Sequence, residues 1–174
     1  ISICLTTSPF DNLSKPSFKL SNVIFPSKFS RAEELGATHC FDNRNNDMVE
    51  EIRDLTNGGV DYAIDLAGVI QAMDTAYQII RYGGSVVTAG LSPINTQFSF
   101  NHSDLVAQEK SILGSYMGSC VPVRDVPRFL NLYKQGRLPV DKLIDGKITF
   151  DNLNEGFDKL SKGEVVRQIL MPNS

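Results

Sequence analysis

The stretch GVDYAIDLAGVIQAMDTAYQIIRYGGSVVTAG, residues 59–90, decides the fold. Short apolar runs at its two ends, VDYAIDL and SVVTAG, are typical of buried β-strands. Between them, after Gly68, apolar residues recur at helical spacing until RYGG ends the pattern. The helical positions are Ala72, Met73, Ala76, Tyr77 and Ile80. A strand, a helix and a strand in this order predict a βαβ unit, whose strands pair in parallel through a right-handed crossover.

The segments before this unit extend the alternation. NVIFPSKFSRAEELGATHCFD, residues 22–42, holds an apolar run at 23–25, a helical pattern that ends at Gly36, and the start of another strand. Asp47 and Glu50 form a capping-box pattern before the next helix, as Asn152 and Glu155 do later in the chain. The order β-α-β-α-β-α-β predicts an α/β fold with a parallel sheet, which binds ligands at the carboxyl ends of its strands.

The pattern changes after Gly90. TQFSFNHSD alternates as an exposed edge strand would, and SILGSYMGS predicts a short strand. A helix over 124–135 follows, and a further helix and the strand VVRQILM complete the chain. The apolar residues expected to face inward from the 124–135 helix are Val126, Phe129, Leu130 and Tyr133.

Composition excludes several classes of protein. Apolar residues make up 41% and charged residues 21%, as in a globular protein, and the net charge of −3 with no basic block argues against nucleic acid and anionic membrane as partners. Cys4, Cys40 and Cys120 have neither the spacing of a disulfide framework nor that of a CxxC metal site, so we expect reduced thiols in the cytoplasm.

The start of the chain differs from the rest. Residues 1–21 are rich in serine and proline and have no consistent period, so we expect an irregular leader. The first residue is Ile rather than Met, which suggests a fragment or a processed or truncated product.

Six segments in order resemble the carboxyl-terminal half of a zinc-dependent alcohol dehydrogenase of the medium-chain dehydrogenase/reductase superfamily. They are PSKFSRAEELGATHCFD, GVDYAIDLAG, RYGGSVVTAGL, LGSYMGS, LYKQGRLPVDKLI and LNEGFDKLSKGEVVRQILM, and the similarity runs from residue 22 to residue 171. The resemblance implies an incomplete Rossmann-like NAD(P)-binding domain over 22–115. It also implies that 116–174 is the return segment of the catalytic domain.

The resemblance implies a cofactor site on the strand ends. Leu66, Ala67, Ala89, Gly90 and Leu91 would line the cleft, where small residues let the backbone approach the dinucleotide. Two further residues and one short segment complete the set. Lys28 would meet the adenosine ribose, the segment Ser115, Tyr116 and Met117 would meet the nicotinamide carboxamide, and Arg167 would bind the pyrophosphate with its planar guanidinium.

The sequence also departs from the family pattern. It contains no GxGxxG phosphate turn, and residues 23–25 are apolar where an acidic residue normally binds the ribose, which leaves NAD and NADP both open. The zinc ligands of the family come from its amino-terminal half, and His39 and Cys40 are strand neighbours that point to opposite faces. No catalytic residue and no metal ligand is therefore predicted in this chain.

Two functions remain open from the sequence. The first is a part of an NAD(P)-dependent alcohol dehydrogenase, whose whole enzyme would transfer hydride between the cofactor and an alcohol or aldehyde, with this chain inactive alone. The second is a non-catalytic module for dimerisation or weak nucleotide binding. QFSFN, residues 97–101, would be the strand that pairs in a homodimer, since an exposed edge with Phe98 and Phe100 invites association.

Overall fold

The computed structural model describes residues 2–7, 16–21, 29–42 and 45–172, and of the first two ranges it describes the backbone alone. The chain forms two compact units, Ile1–Ser119 and Cys120–Ser174. The strands of the first unit are β1 Ser2–Thr7, β2 Pro16–Ser21, β3 Ala37–Asp42, β4 Val60–Asp65, β5 Ile80–Thr88 and β6 Ser111–Gly114. Its helices are α1 Phe29–Glu34, α2 Met48–Leu55, α3 Ile70–Ile79 and α4 His102–Ala107, followed by a 3-10 helix over Tyr116–Ser119.

The first unit is built on one six-stranded sheet with the order β3-β1-β2-β4-β5-β6. β2, β4, β5 and β6 pair in parallel, whereas β1 is antiparallel to both β2 and β3. The predicted α/β class with a parallel sheet and flanking helices is therefore confirmed. Because β4, β5 and β6 point the same way, their carboxyl ends meet at one edge of the sheet.

The core of the first unit lies where α2 and α3 pack on the sheet. α3 buries Ala72, Met73, Ala76 and Tyr77, as the spacing of these residues predicts. Each fully buried Ile or Val side chain contributes about 1.5–3 kcal/mol relative to an exposed one. The buried cluster consists of Met48, Ile52, Val60, Ala63, Met73, Ala76, Tyr77, Ile79, Ile80 and Val86.

The described parts of the amino-terminal segment form strands. Within the expected irregular leader over 1–21, residues 2–7 and 16–21 make the antiparallel pair β1 and β2, in which Ile3 stands opposite Leu20 and Leu5 opposite Phe18. Each strand shows only two apolar alternations, too few to distinguish from an irregular stretch without knowledge of the partner strand. The strand expected at 23–25 lies outside the described residues.

The expected edge strand at 97–101 is wrong. These residues form no strand, and the Tyr77 ring centroid lies 6.3 Å from that of Phe98 and 6.1 Å from that of Phe100. The two phenylalanine rings stack on each other, and Asn101 accepts a hydrogen bond from the backbone N–H of Ser103 at the start of α4. Phe98 and Phe100 thus pack against Tyr77 of α3, and residues 97–101 form no strand that could pair in the expected homodimer.

Two local predictions also need correction. Asp47 and Asn152 occupy N-cap positions, but neither side chain makes a capping hydrogen bond. Glu155 instead pairs with Lys159, one turn further along the same helix, at 2.6 Å. RYGG lies inside β5, because the backbone becomes extended directly at Ile80, with φ −73° and ψ 141°.

The second unit is small and leaves much apolar surface open. It consists of α5 Pro122–Lys134, β7 Ile144–Ile148, α6 Leu153–Ser161 and β8 Arg167–Leu170, with short 3-10 helices at Val140–Leu143 and Phe150–Asn152. β7 and β8 pair in parallel as a two-stranded sheet. The stripe predicted to face inward from α5 is not buried, and its exposed fractions are 47% for Val126, 47% for Phe129, 53% for Leu130 and 43% for Tyr133. A two-stranded sheet offers too little area to cover that stripe.

At the amino end of α5, one carboxylate organises the first turn. The Asp125 carboxylate accepts the backbone N–H of Val121 at 2.8 Å and a hydrogen bond from Nε of Arg124 at 2.7 Å. The hydrogen bond from Arg124 holds the pKa of Asp125 well below its usual range.

None of the described helices combines the length and apolar character that crossing a bilayer requires.

Candidate cofactor site

The carboxyl ends of β4 and β5 converge on Asp65, which is 2% exposed. Its carboxylate accepts the backbone N–H of Ala67 at 2.8 Å through Oδ1 and the hydroxyl of Thr88 at 2.9 Å through Oδ2. Its backbone carbonyl accepts the N–H groups of Ala89 at 2.8 Å and Gly90 at 3.3 Å. One residue therefore ties together the turns that follow both strands.

The two turns cross each other backbone against backbone at Gly68 and Gly90. A Cβ on Gly90 would lie 2.1 Å from the nitrogen of Gly68, and a Cβ on Gly68 would lie 2.5 Å from the carbonyl oxygen of Leu91. Gly68 also has φ +68°, in the left-handed region that favours glycine. The Ser92 hydroxyl closes the crossing by donating to the Gly68 carbonyl at 2.9 Å. Only glycine fits at these two points.

This crossing brings together the strand-end residues expected from the sequence. Leu66 is 43% exposed and Leu91 is 79% exposed, while Ala67, Ala89 and Gly90 are half-buried. Exposed side chains and accessible backbone at adjoining strand ends suit a ligand that lies across the edge of a sheet.

An open pocket of about 290 Å³ adjoins the crossing. Its polar wall is formed by the carboxylate of Asp65 and by hydroxyls that sequence reasoning missed. The signal for Thr88 was present, since a hydroxyl directly after the apolar run Val86–Val87 marks a strand end. The lining residues are Asp65, Val69, Ile70, Met73, Thr88, Gly90, Ser92, Thr96 and Phe98.

The segment from Ser115 to Ser119 joins the same edge. The N–H of Ser115 donates to the carbonyl of Thr88 at 2.9 Å, which holds the segment against the end of β5. Tyr116 is 72% exposed and Met117 is 69% exposed. Met117, Gly118 and Ser119 all have positive φ, at 50°, 66° and 53°. Left-handed non-glycine residues are strained, and such strain concentrates at functional sites.

Two predicted residues remain, Arg167 and Lys28. Arg167 is exposed on β8 of the second unit, where its guanidinium donates to the Val166 carbonyl at 3.1 Å and its N–H donates to Asp145 at 3.2 Å. Arg167 also lines a largely apolar pocket of about 240 Å³ with residues of α6 and β7. Lys28 lies outside the described residues.

The described residues do not fit a catalytic zinc ion. Such an ion needs about three protein ligands and an open position. Within the described ranges, no group of three or more His, Cys, Asp or Glu residues could hold a metal. At the strand-end crossing, glycine lets the backbones of the two turns touch, because a Cβ at Gly90 would lie 2.1 Å from the Gly68 nitrogen.

Comparisons with known proteins agree with this picture. Residues 23–135 match the family described as zinc-binding dehydrogenase. The chain is 32% identical over 148 residues to alcohol dehydrogenase 1 of Cenchrus americanus, covering 83% of this chain and 39% of that protein. It therefore spans about two fifths of the length of such curated relatives.

Solved structures give the same result. The benzyl alcohol dehydrogenase of Acinetobacter calcoaceticus superimposes with a TM-score of 0.80 and 30% identity, over 84% of this chain and 40% of that one. A putative zinc-binding dehydrogenase of Sinorhizobium meliloti bound to NADP superimposes with a TM-score of 0.75 and 28% identity, over 88% of this chain and 44% of that one. The α/β fold, the strand-end turns and the family match lead to one conclusion: the chain belongs to the zinc-binding dehydrogenase family.

Proposed function

We propose that the first unit binds a nicotinamide dinucleotide, NAD or NADP, across the carboxyl ends of β4 and β5. The crossing of Gly68 and Gly90 carries the proposal, because it lets two strand-end backbones meet with no side chain between them. A related structure that contains NADP supports this class of cofactor.

Each expected contact has a distinct chemical role in this proposal. The turns at 66–68 and 89–91 support the cofactor through backbone groups, and Ser115, Tyr116 and Met117 receive the carboxamide. The family resemblance assigns Arg167 to the pyrophosphate, a role that suits its charged planar fork. Lys28 is assigned to the adenosine ribose from the family resemblance alone.

We further propose that the chain forms the cofactor-binding part of an enzyme that interconverts alcohols and aldehydes or ketones. The names of its relatives, alcohol dehydrogenases and a benzyl alcohol dehydrogenase, support this class of substrate. The bound cofactor supplies the hydride chemistry, and the protein binds and orients it. Because the described residues do not fit zinc, we expect the chain alone to bind cofactor without oxidising alcohol.

A titration with NADH, followed through the fluorescence of the cofactor, tests the proposal. We expect saturable binding that ADP-ribose displaces, since ADP-ribose keeps the pyrophosphate and both ribose rings. A parallel titration with NADPH decides between the two cofactors. A flat response to both cofactors at millimolar concentration would refute binding by this chain.

The alternative is a non-catalytic module for dimerisation or weak nucleotide binding, and its dimerisation form gives a different pair of results. It requires a flat titration together with a dimeric mass in light scattering. Saturable NADH binding by a particle of 19.2 kDa would exclude it.

A further inference from the structure

The buried carboxylate of Asp65 makes hydrogen bonds that the pairing of β4 with β5 does not require. The register places Asp65 directly beside Thr88 and Ile64 beside Val87, and parallel backbone pairing would persist with an apolar pair at the last position. Burying a carboxylate is costly unless hydrogen bonds compensate it. Here the compensating donors are the Ala67 N–H, in the turn after β4, and the hydroxyl of Thr88, the last residue of β5.

The hydrogen bonds of Asp65 act on both turns together. Its Oδ1 holds the N–H of Ala67, which fixes the direction in which the chain leaves β4. Its carbonyl holds the N–H groups of Ala89 and Gly90, which fixes how the chain leaves β5. Oδ2 joins the two through the Thr88 hydroxyl.

We infer that Asp65, acting with Thr88, is a positioning residue. It holds the turns 66–68 and 89–91 in the relative position that binding of a dinucleotide requires. The inference rests on the proposed cofactor site. Asp65 is 2% exposed, so it acts mainly through the turns that it holds. Because the two turns are already ordered before the cofactor binds, binding does not have to offset the entropy lost in ordering them, and the affinity is higher.

Substitutions at Thr88 test the inference without removing the carboxylate. Thr88→Val keeps the shape and deletes the hydroxyl donor, and Thr88→Ser restores a donor. Thr75→Val is the matched control, because the Thr75 hydroxyl donates to the Gln71 carbonyl at 2.8 Å on the exposed side of α3. We expect Thr88→Val to raise the NADH dissociation constant about tenfold, the size of one lost hydrogen bond to a charged group. Thr88→Ser should stay within about twofold of the parent, as should the Thr75→Val control.

Amide hydrogen exchange supplies a second reading that does not depend on cofactor. In Thr88→Val the amides of Ala67, Ala89 and Gly90 should exchange faster, while those of α2 and α3 stay as protected as in the parent. A purely structural role predicts the opposite pattern: lower overall protection and an unchanged dissociation constant. That pattern would overturn the inference.

The two proposals fail in different ways. If the parent chain binds no NADH, the proposed function is refuted. If the amide of Ala67 exchanges at the same rate in Thr88→Val as in the parent, the positioning role of Asp65 is refuted, whatever the result with NADH. Asp65→Asn is a variant that keeps the shape of the side chain and is expected to fold. Its amide oxygen can still accept the N–H of Ala67, and its amide nitrogen can donate to the hydroxyl oxygen of Thr88. We expect this variant to keep the local exchange pattern of the parent. Exchange at Ala67 as fast as in Asp65→Ala would contradict positioning by hydrogen bonds.

Discussion

The ammonium of Lys110 lies 4.6 Å from the ring centroid of Tyr77 and donates to the carbonyl of the same residue at 3.1 Å. Arg53 donates to the neighbouring carbonyl of Gln78 at 3.3 Å. Both carbonyls belong to the last turn of α3, which runs into β5 without a loop. The side chains of Lys110 and Arg53 thus donate hydrogen bonds to carbonyl groups of the last turn of α3, which has no capping residue of its own.

This arrangement predicts a pH dependence of stability. Burial is the main cause that lowers the pKa of Lys110 from its ordinary 10.5, Arg53 lowers it further, and Asp104 opposes the shift. Between the lowered folded pKa and 10.5, the unfolded chain binds more protons than the folded chain, so the free energy of unfolding should rise with pH.

Urea unfolding of the parent and of Lys110→Met at about pH 7 and about pH 9.5 checks this pH dependence. The parent should gain more stability over this range than the variant. Burial is the main cause that raises the pKa of Tyr77 from its ordinary 10.0, so Tyr77 loses its proton less readily than a free tyrosine. Equal gains for the two proteins would show that Lys110 is not the responsible group.

The Tyr77 hydroxyl should be dispensable for stability. Its oxygen is buried and makes no hydrogen bond to any described group. An unsatisfied buried hydroxyl costs about 1–3 kcal/mol, so Tyr77→Phe should leave the free energy of unfolding unchanged or raise it. Chemical denaturation measures the change, with Tyr133→Phe as a control on an exposed tyrosine. A loss of more than about 1 kcal/mol would imply a hidden partner for the hydroxyl.

Phe100 should act in packing rather than in association. Its ring lies 6.1 Å from those of both Tyr77 and Phe98. Phe100→Ala should lower the free energy of unfolding by about 1 kcal/mol or more, since the ring loses apolar contact as well as aromatic pairing. Light scattering before and after the substitution should give the same mass. A dimer that dissociates in Phe100→Ala would instead restore residues 97–101 as an interface.

Gly90→Ala should damage the strand-end crossing. The added Cβ would lie 2.1 Å from the Gly68 nitrogen, a distance that forces the backbones apart. We expect a loss of about 1–3 kcal/mol in stability and a weaker NADH titration, because the two turns separate. Gly114→Ala is the matched control, since a Cβ there meets nothing within 4 Å. Similar effects of the two substitutions would argue against a special role for the crossing.

Arg167→Ala tests the proposed pyrophosphate contact. Loss of a charge-assisted pair should weaken NADH binding about tenfold or more, and the difference should shrink at high salt. Arg128→Ala removes a comparably exposed arginine with only a 3.5 Å contact to Asp125, and it should bind like the parent. An unchanged dissociation constant in Arg167→Ala would remove Arg167 from the site.

Local patterns predicted the central part of the first unit well. The apolar spacing of Ala72 to Tyr77 marks one face of a helix, and neighbours three and four residues apart share that face wherever the helix packs. The turns at 66–68 and 89–91 follow from strand ends and small residues, and the parallel order brings them together without further information. The homology of the chain to alcohol dehydrogenases supplied the cofactor class.

Predictions failed where the partner of a segment is distant in the chain. The alternation at 97–101 fits an edge strand and an aromatic cluster equally well, and Tyr77 decides between them. The capping-box letters at Asp47 fit a common motif, but the backbone N–H of Asp47 is bound by the Asn45 side chain instead. Strands β1 and β2 show too few alternations to be detected alone, and each is defined by its neighbour in the sheet.

By itself the sequence determined the βαβ order, the buried face of α3 and the glycines at the strand ends, because these depend on neighbours within a few residues. Only the tertiary structure decided that Asp65 joins two turns through Thr88, that Gly68 and Gly90 touch, and that Lys110 caps α3. Those contacts join residues more than twenty positions apart, and their geometry exists only after the sheet and its helices have packed.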